Sequence, residues 1–204
     1  MMTLNTETQQ KIIASAEKLF YQKGKAGTSM QDIANDAGIN RTLLNYYFRS
    51  KDLLFEAVFR KALGNFIPAL AAMLHSDMPF GEYISYLIHT VIDTMLANPQ
   101  IPIFVLQELS SDPDRMPHII KEMGIDPDVA FRKIEAEGGK GAMDETEFKQ
   151  LIINLLSLCI FPFASRPVIT EILFNGDNHA FIAAMKQRRE ILPEMFLKLM
   201  NQKQ

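Results

Sequence analysis

Apolar residues recur at helical spacing along nearly the whole chain, and alternating, strand-like runs are short. Ile12, Ile13, Ala16, Leu19 and Phe20 form one stripe, which predicts a helix over 6–23. Thr6 or Thr8 is placed to cap it, and Glu7 stands near its positive end. Two shorter helices are predicted over 30–37 and 41–48. Ser50 then caps a fourth, with Leu53, Leu54, Ala57, Val58, Ala62 and Leu63 on its inner side. Beyond Gly64 the predicted helices are longer and more apolar, over 65–75, 80–97, 100–111, 115–123, 127–137, 144–164 and 178–201. Breaks fall near Pro79, Pro99, Pro113, Pro127 and Pro167, because the residue before a proline disfavours the α region. Pro68, Pro162 and Pro193 lie inside predicted helices and should kink or shorten them. The pattern predicts an all-α protein: a small N-terminal unit over 1–50, a linking helix over 51–64 and a larger helical domain over 65–204.

The segment Thr28 to Lys51 is the most informative. With Gly38 as a turn residue, Ile33, Ala37, Ile39, Leu44 and Tyr47 fall where a helix-turn-helix needs apolar side chains. Ala34 is small where two helices must approach. Gly38 can take the left-handed backbone that ends one helix, and Asn40 can cap the next. This joint spacing points to a DNA-binding unit that sets its second helix in a groove.

Composition supports a globular protein: 204 residues, 48% hydrophobic and 22% charged. The net charge of −3 looks wrong for a nucleic-acid binder until the chain is divided. Residues 1–64 carry nine Lys or Arg against six Asp or Glu, and the remainder twelve against eighteen. Positive charge is therefore gathered where phosphates would be met. Cys159 is the only cysteine, so no intrachain disulfide is possible and a reducing cytoplasm is the natural setting; it reads as a small buried hydrophobe. The polar N-terminus lacks a signal-peptide pattern. The longest apolar run, Leu151 to Phe163, is interrupted by Asn154, Ser157 and Pro162, so no membrane span is expected.

The N-terminal third resembles the tetracycline-repressor (TetR) family of bacterial transcriptional regulators. The resemblance rests on Leu19-Phe20 with Gly24, Thr28-Ser29, Ile33-Ala34, Ala37-Gly38-Ile39-Asn40, Tyr47-Phe48, and Ser50-Lys51 with Leu54. It implies a three-helix DNA-binding domain followed by a variable helical domain for ligand binding and dimerisation. One departure is Asn45, which stands where the family commonly has a tyrosine that contacts phosphate.

With Leu44 at the centre of the buried face of the second helix, Thr42, Asn45 and Tyr46 point outward. Arg41 is expected to meet guanine or phosphate, and Thr42 and Asn45 base edges or phosphates. Leu43 suits either a thymine methyl or the core. Tyr47 packs its ring inward, and the resemblance implies a phosphate for its hydroxyl. Thr28 and Ser29 precede a helix N-terminus suited to phosphate, and Lys51 starts another with a charge in hand. One short recognition helix reads too few base pairs, so two copies should read a pseudo-palindromic operator in double-stranded DNA. Their contact is expected from the helices near 144–164 and 178–201, the first being apolar over too much of its circumference to face water. An apolar small-molecule effector is implied, with Phe66, Met73, Tyr86, His89, Met95 and Phe104 as candidate pocket residues; their alternative is plain core.

The four histidines (75, 89, 118 and 179) show no metal-ligand spacing, and no cofactor is expected. GKAGTS at 24–29 superficially suggests a phosphate-binding loop but lacks the G-x-x-x-x-G-K-[ST] order and follows a helix. An enzyme is therefore not expected. A helix-turn-helix scaffold that binds protein without reading DNA is the rival reading.

Overall fold

The computed structural model describes residues 2–64, 67, 71, 76–124, 126–138 and 144–201, and every regular element among them is an α-helix. They are α1 (Met2–Lys23), α2 (Met30–Asp36), α3 (Arg41–Tyr47), α4 (Lys51–Leu63), α5 (Phe80–Ala97), α6 (Ile101–Ser111), α7 (Arg115–Glu122), α8 (Pro127–Gly138), α9 (Glu145–Ala164), α10 (Arg166–Phe174) and α11 (Asn178–Asn201). The bounds follow the sequence pattern closely, except that α1 begins four residues early and α10 has no counterpart among the predicted helices. Pro167, expected to mark a break, sits instead in the first turn of α10, where a missing N–H costs nothing and the fixed φ suits a helix. Pro162 falls in the last turn of α9, whereas α11 runs through Pro193 to Asn201. Pro68 and most of the predicted 65–75 helix lie outside the described residues.

The chain divides into two compact units: Met1–Asn65 with Ile103–Met116, and Phe66–Pro102 with Pro117–Gln204. In the first, Ile12, Ala16 and Phe20 of α1, Ile33 and Ala34 of α2, Leu44 of α3 and Leu54, Val58 and Phe59 of α4 are fully buried. An aromatic cluster extends this core. Phe20 meets Phe55 edge-on at 5.1 Å, and Phe104 of α6 lies 5.2 Å from Phe55, 5.7 Å from Phe59 and 4.9 Å from Tyr21. Such pairs each add about 0.5–1.5 kcal/mol beyond their burial. Phe104 was expected at an effector pocket; the structure places it in this cluster. Because α6 is apolar over most of its circumference, periodicity could not say which body it would join.

In the second unit, α5 presents Tyr83, Ile84, Leu87, Ile88, Val91, Ile92 and Met95 to the interior. They pack with Phe148, Leu155, Cys159 and Phe163 of α9 and Phe181, Met185, Leu192 and Phe196 of α11. Desolvation pushes the Cys159 thiol up to about 12, so it is a buried hydrophobe with little thiolate character. By length and composition, α9 is long and apolar enough to cross a membrane. Only 22% of its most apolar stretch is buried. Asn154, Ser157 and Pro162 interrupt the apolar run without making the helix polar. The result is a helix with more apolar surface than its own unit covers.

Candidate nucleic-acid interface

The helix-turn-helix is built by three local devices. Ser29 opens α2 with a capping box: its hydroxyl accepts from Asp32 N–H at 3.1 Å, and the Asp32 carboxylate accepts from Ser29 N–H at 2.9 Å. Gly38 closes α2 at φ 67°. Ile39 N–H reaches back to Ala34 O at 3.0 Å and Gly38 N–H to Asn35 O at 3.2 Å, the paired bonds of a Schellman end. Asn40 then caps α3, its side-chain oxygen accepting from Leu43 N–H at 2.8 Å.

A Cβ at Gly38 would meet nothing within 4 Å, so the objection to a side chain there is backbone conformation alone. Gly38→Ala is expected to destabilise the first unit by about 1–2 kcal/mol, the left-handed penalty for an ordinary residue. Gly38→Asn should lose less, and urea unfolding of the two variants beside the parent checks the order.

On α3, Leu44 is fully buried, while Arg41, Thr42, Asn45 and Tyr46 are exposed, Tyr46 at 77% and Leu43 at 38%. At ~100° per residue, residues 41, 42, 45 and 46 span an arc of about 140° away from Leu44. Tyr47 is half-buried and stands edge-on to Tyr46, with ring centroids 5.5 Å apart. Arg49, which no sequence motif singles out, is exposed immediately after α3. Neither Arg41 nor Arg49 forms an ion pair with another described residue.

Two of the expected contact residues turn inward. Thr28 is 1% exposed, its hydroxyl donating to Gly24 O at 2.9 Å and Leu19 O at 3.2 Å. The last carbonyls of α1 need donors once the chain leaves the helix at Gly24, and Thr28 supplies one. Lys51 Nζ donates to Lys25 O at 2.9 Å and Thr28 O at 3.1 Å, which fastens the α1–α2 connection to the start of α4. Both residues position Ser29 and α2; their side chains do not face outward to a phosphate. Lys25 is likewise engaged, paired with Asp52 at 2.9 Å and 5.0 Å over the Phe55 ring. Ser29 is exposed, but its hydroxyl also donates to Asp32 at 2.6 Å, so a carboxylate already sits at the start of α2.

The Asp32 carboxyl is held below the usual range first by the Ser29 hydroxyl and then by Ser29 N–H. Asp36 is lowered first by its bond from Lys18 and then by Ser15. A carboxyl whose folded pKa lies below its unfolded value stabilises the fold above about pH 3.9, and that contribution is lost as pH falls through the lowered folded pKa. The thermal stability of the first unit should therefore start to fall as pH nears about 3.9 from above and keep falling through the lowered folded values. Asp32→Asn should flatten this dependence; an unchanged profile would contradict the capping role.

Of the candidate effector residues, Tyr86, His89 and Met95 of α5 do not share one face of the helix. Tyr86 is exposed and Met95 buried on opposite sides of α5. His89 is half-buried, its Nε2 4.0 Å from a Glu190 carboxylate oxygen on α11. Phe66 and Met73 lie outside the described residues. A cavity of about 500 Å³ lies instead within the first unit, lined by Lys23, Lys25, Lys51, Phe55, Phe104 and Glu108 among others.

Residues 12–58 match the profile of bacterial regulatory proteins of the tetR family, a span that holds α2, α3 and both caps. The N-terminal helices are thus those of the tetR family of bacterial regulatory proteins. Across 89% of both chains it is 29% identical to the "Probable HTH-type transcriptional regulator YttP" of Bacillus subtilis (strain 168). Identity is 36% over 76 residues to the HTH-type transcriptional regulator RutR of Escherichia coli (strain K12), a likeness spanning 37% of this chain and 36% of that one. A solved structure of the transcriptional regulator FadR from Bacillus subtilis, in complex with stearoyl-CoA, shares the fold at TM-score 0.63 and 16% identity, covering 90% of this chain and 96% of that one. The fold shared with that structure thus extends into the second unit, where the sequence carries no motif.

Proposed function

We propose that this regulator works as a homodimeric, ligand-responsive repressor in the cytoplasm, each copy setting α3 into the major groove of a pseudo-palindromic operator. The observation that carries the reading is the division of α3 between a sealed Leu44 and an open polar face. On that face Arg41 reads guanine or holds a phosphate, and Thr42 and Asn45 meet base edges. Leu43 offers its side chain to a thymine methyl. Tyr46 and the Tyr47 hydroxyl hold the backbone, with Arg49 as a further cation, while Ser29 sets the start of α2 through Asp32. Thr28 and Lys51 serve this surface from behind.

Two copies join through α9 and α11. Ile153, Leu156 and Phe161 on α9, the last 64% exposed, and Ile191 and Met195 on α11 are large apolar side chains that one unit leaves open. Arg188 of α11 donates to Leu158 O of α9 at 3.1 Å, which ties the two helices at the level of this surface. The effector is an apolar small molecule held in the second unit; the stearoyl chain of the ligand in the FadR structure is of that chemistry. It acts by favouring one spacing of the reading heads over another.

Selection of bound duplexes from a random pool tests the reading. The expected result is an inverted repeat with half-sites about one or more helical turns apart and an affinity that falls steeply with salt. Recovery of no common sequence, with no salt dependence, would overturn it in favour of a protein-binding scaffold.

A further inference from the structure

Resting on the homodimer reading above, we propose that α10 is a third element of the contact between copies, its outer ridge of Val168, Ile172 and Leu173 covered by a second copy of this chain. These side chains are 59%, 69% and 68% exposed, as open as any large apolar residues of the second unit. The helix itself is firmly seated. Phe174 meets Phe181 edge-on at 6.0 Å, and the Arg166 guanidinium lies 5.3 Å from the centre of the same ring. Arg166 Nε also donates to Asn178 at 3.2 Å. A left-handed Asn175 and Gly176 N–H, bonded to Thr170 O at 3.0 Å, close its C-terminus. An anchored helix with an apolar outer face has no rotation available that would hide it.

Continuity identifies the occupant. On α9, positions 153, 156, 157, 160, 161 and 164 recur at helical spacing as one open or half-open ridge. That ridge ends at Ser165, and Val168 follows within one turn of α10. In an isologous interface one composite patch meets itself, so residues contiguous with its centre are covered by the same act of pairing. A stable dimer buries about 800 Å² on each partner, and the α10 ridge adds apolar area to what α9 and α11 leave open. A lipid surface fits less well. Glu171 interrupts the outer side of α10, and the nearest cation, Arg166, is engaged with the Phe181 ring and Asn178.

The test uses the full chain with Leu173→Cys. Buried Cys159 keeps the native background silent to thiol reagents. Leu53→Cys on α4, half-exposed in the first unit, is the control. Light scattering across a dilution series first establishes the dimer, and thiol labelling is then followed over the same series. Labelling at 173 should slow at least tenfold as dimer forms, while labelling at 53 stays constant. Ile172→Glu should raise the dimer dissociation constant at least tenfold, with circular dichroism confirming the fold. A parent that is monomeric throughout would sink the homodimer reading itself. A parent that dimerises while 173 labels at one rate would overturn only the role of α10. Protection by anionic phospholipid vesicles without self-association would overturn it in favour of a membrane.

Discussion

A chain carrying Ile153→Asp and Phe161→Asp is expected to run as a monomer and to lose operator affinity by about 10²–10⁴-fold, the gain that linking two reading heads ordinarily confers. Both side chains are open on α9, so the substitutions create no cavity and should leave the helical content of each unit intact. Placed against a second copy, each carboxylate would be desolvated without a partner, which pairing cannot sustain. Sedimentation and a binding titration on the selected operator check the two halves of the result. A variant that stays dimeric would move the contact away from α9. A monomer that retained full affinity would remove the need for two heads.

The second large effect separates two cations that look alike in the sequence. Arg41→Ala should weaken operator binding about 5- to 150-fold, the worth of a bidentate base contact. If Arg41 holds a phosphate instead, the salt slope should fall by about one charge. Lys51→Ala should act through the fold. It removes donors from two backbone carbonyls and is expected to cost up to about 1.5–3 kcal/mol, the range for hydrogen bonds to charged groups, with the lower end favoured by partial exposure. Its thermal midpoint should drop and its salt slope should not change. Equal loss of salt slope in both variants would show that Lys51 reaches the duplex after all.

The contrast between these residues marks how far local sequence pattern reaches. Ala34, Gly38, Asn40 and Ser50 each answer a demand made within a few residues of themselves, for close approach, left-handed backbone or a cap. Their placement is therefore legible in the sequence. Thr28 and Lys51 answer to carbonyls at 19, 24, 25 and 28, which only the completed turn brings within reach. A hydroxyl or an ammonium at a helix start has the same sequence signature whether its partner is a phosphate or the chain itself. For two of the candidate effector residues the spacing itself is informative. Tyr86 and Met95 stand nine positions apart, which at ~100° per residue sets them on opposite sides of α5. Pro167 misleads because one residue type both ends helices and begins them.

Phe104 has a practical corollary for anyone who would isolate the reading head. Its ring completes a cluster with Tyr21, Phe55 and Phe59, although some forty residues of chain intervene after α4. The head is therefore not severable by one cut. A fragment ended at residue 65 would lay that cluster bare to water and should clump on purification, whereas one that grafts 103–116 back through a short artificial loop should stay in solution.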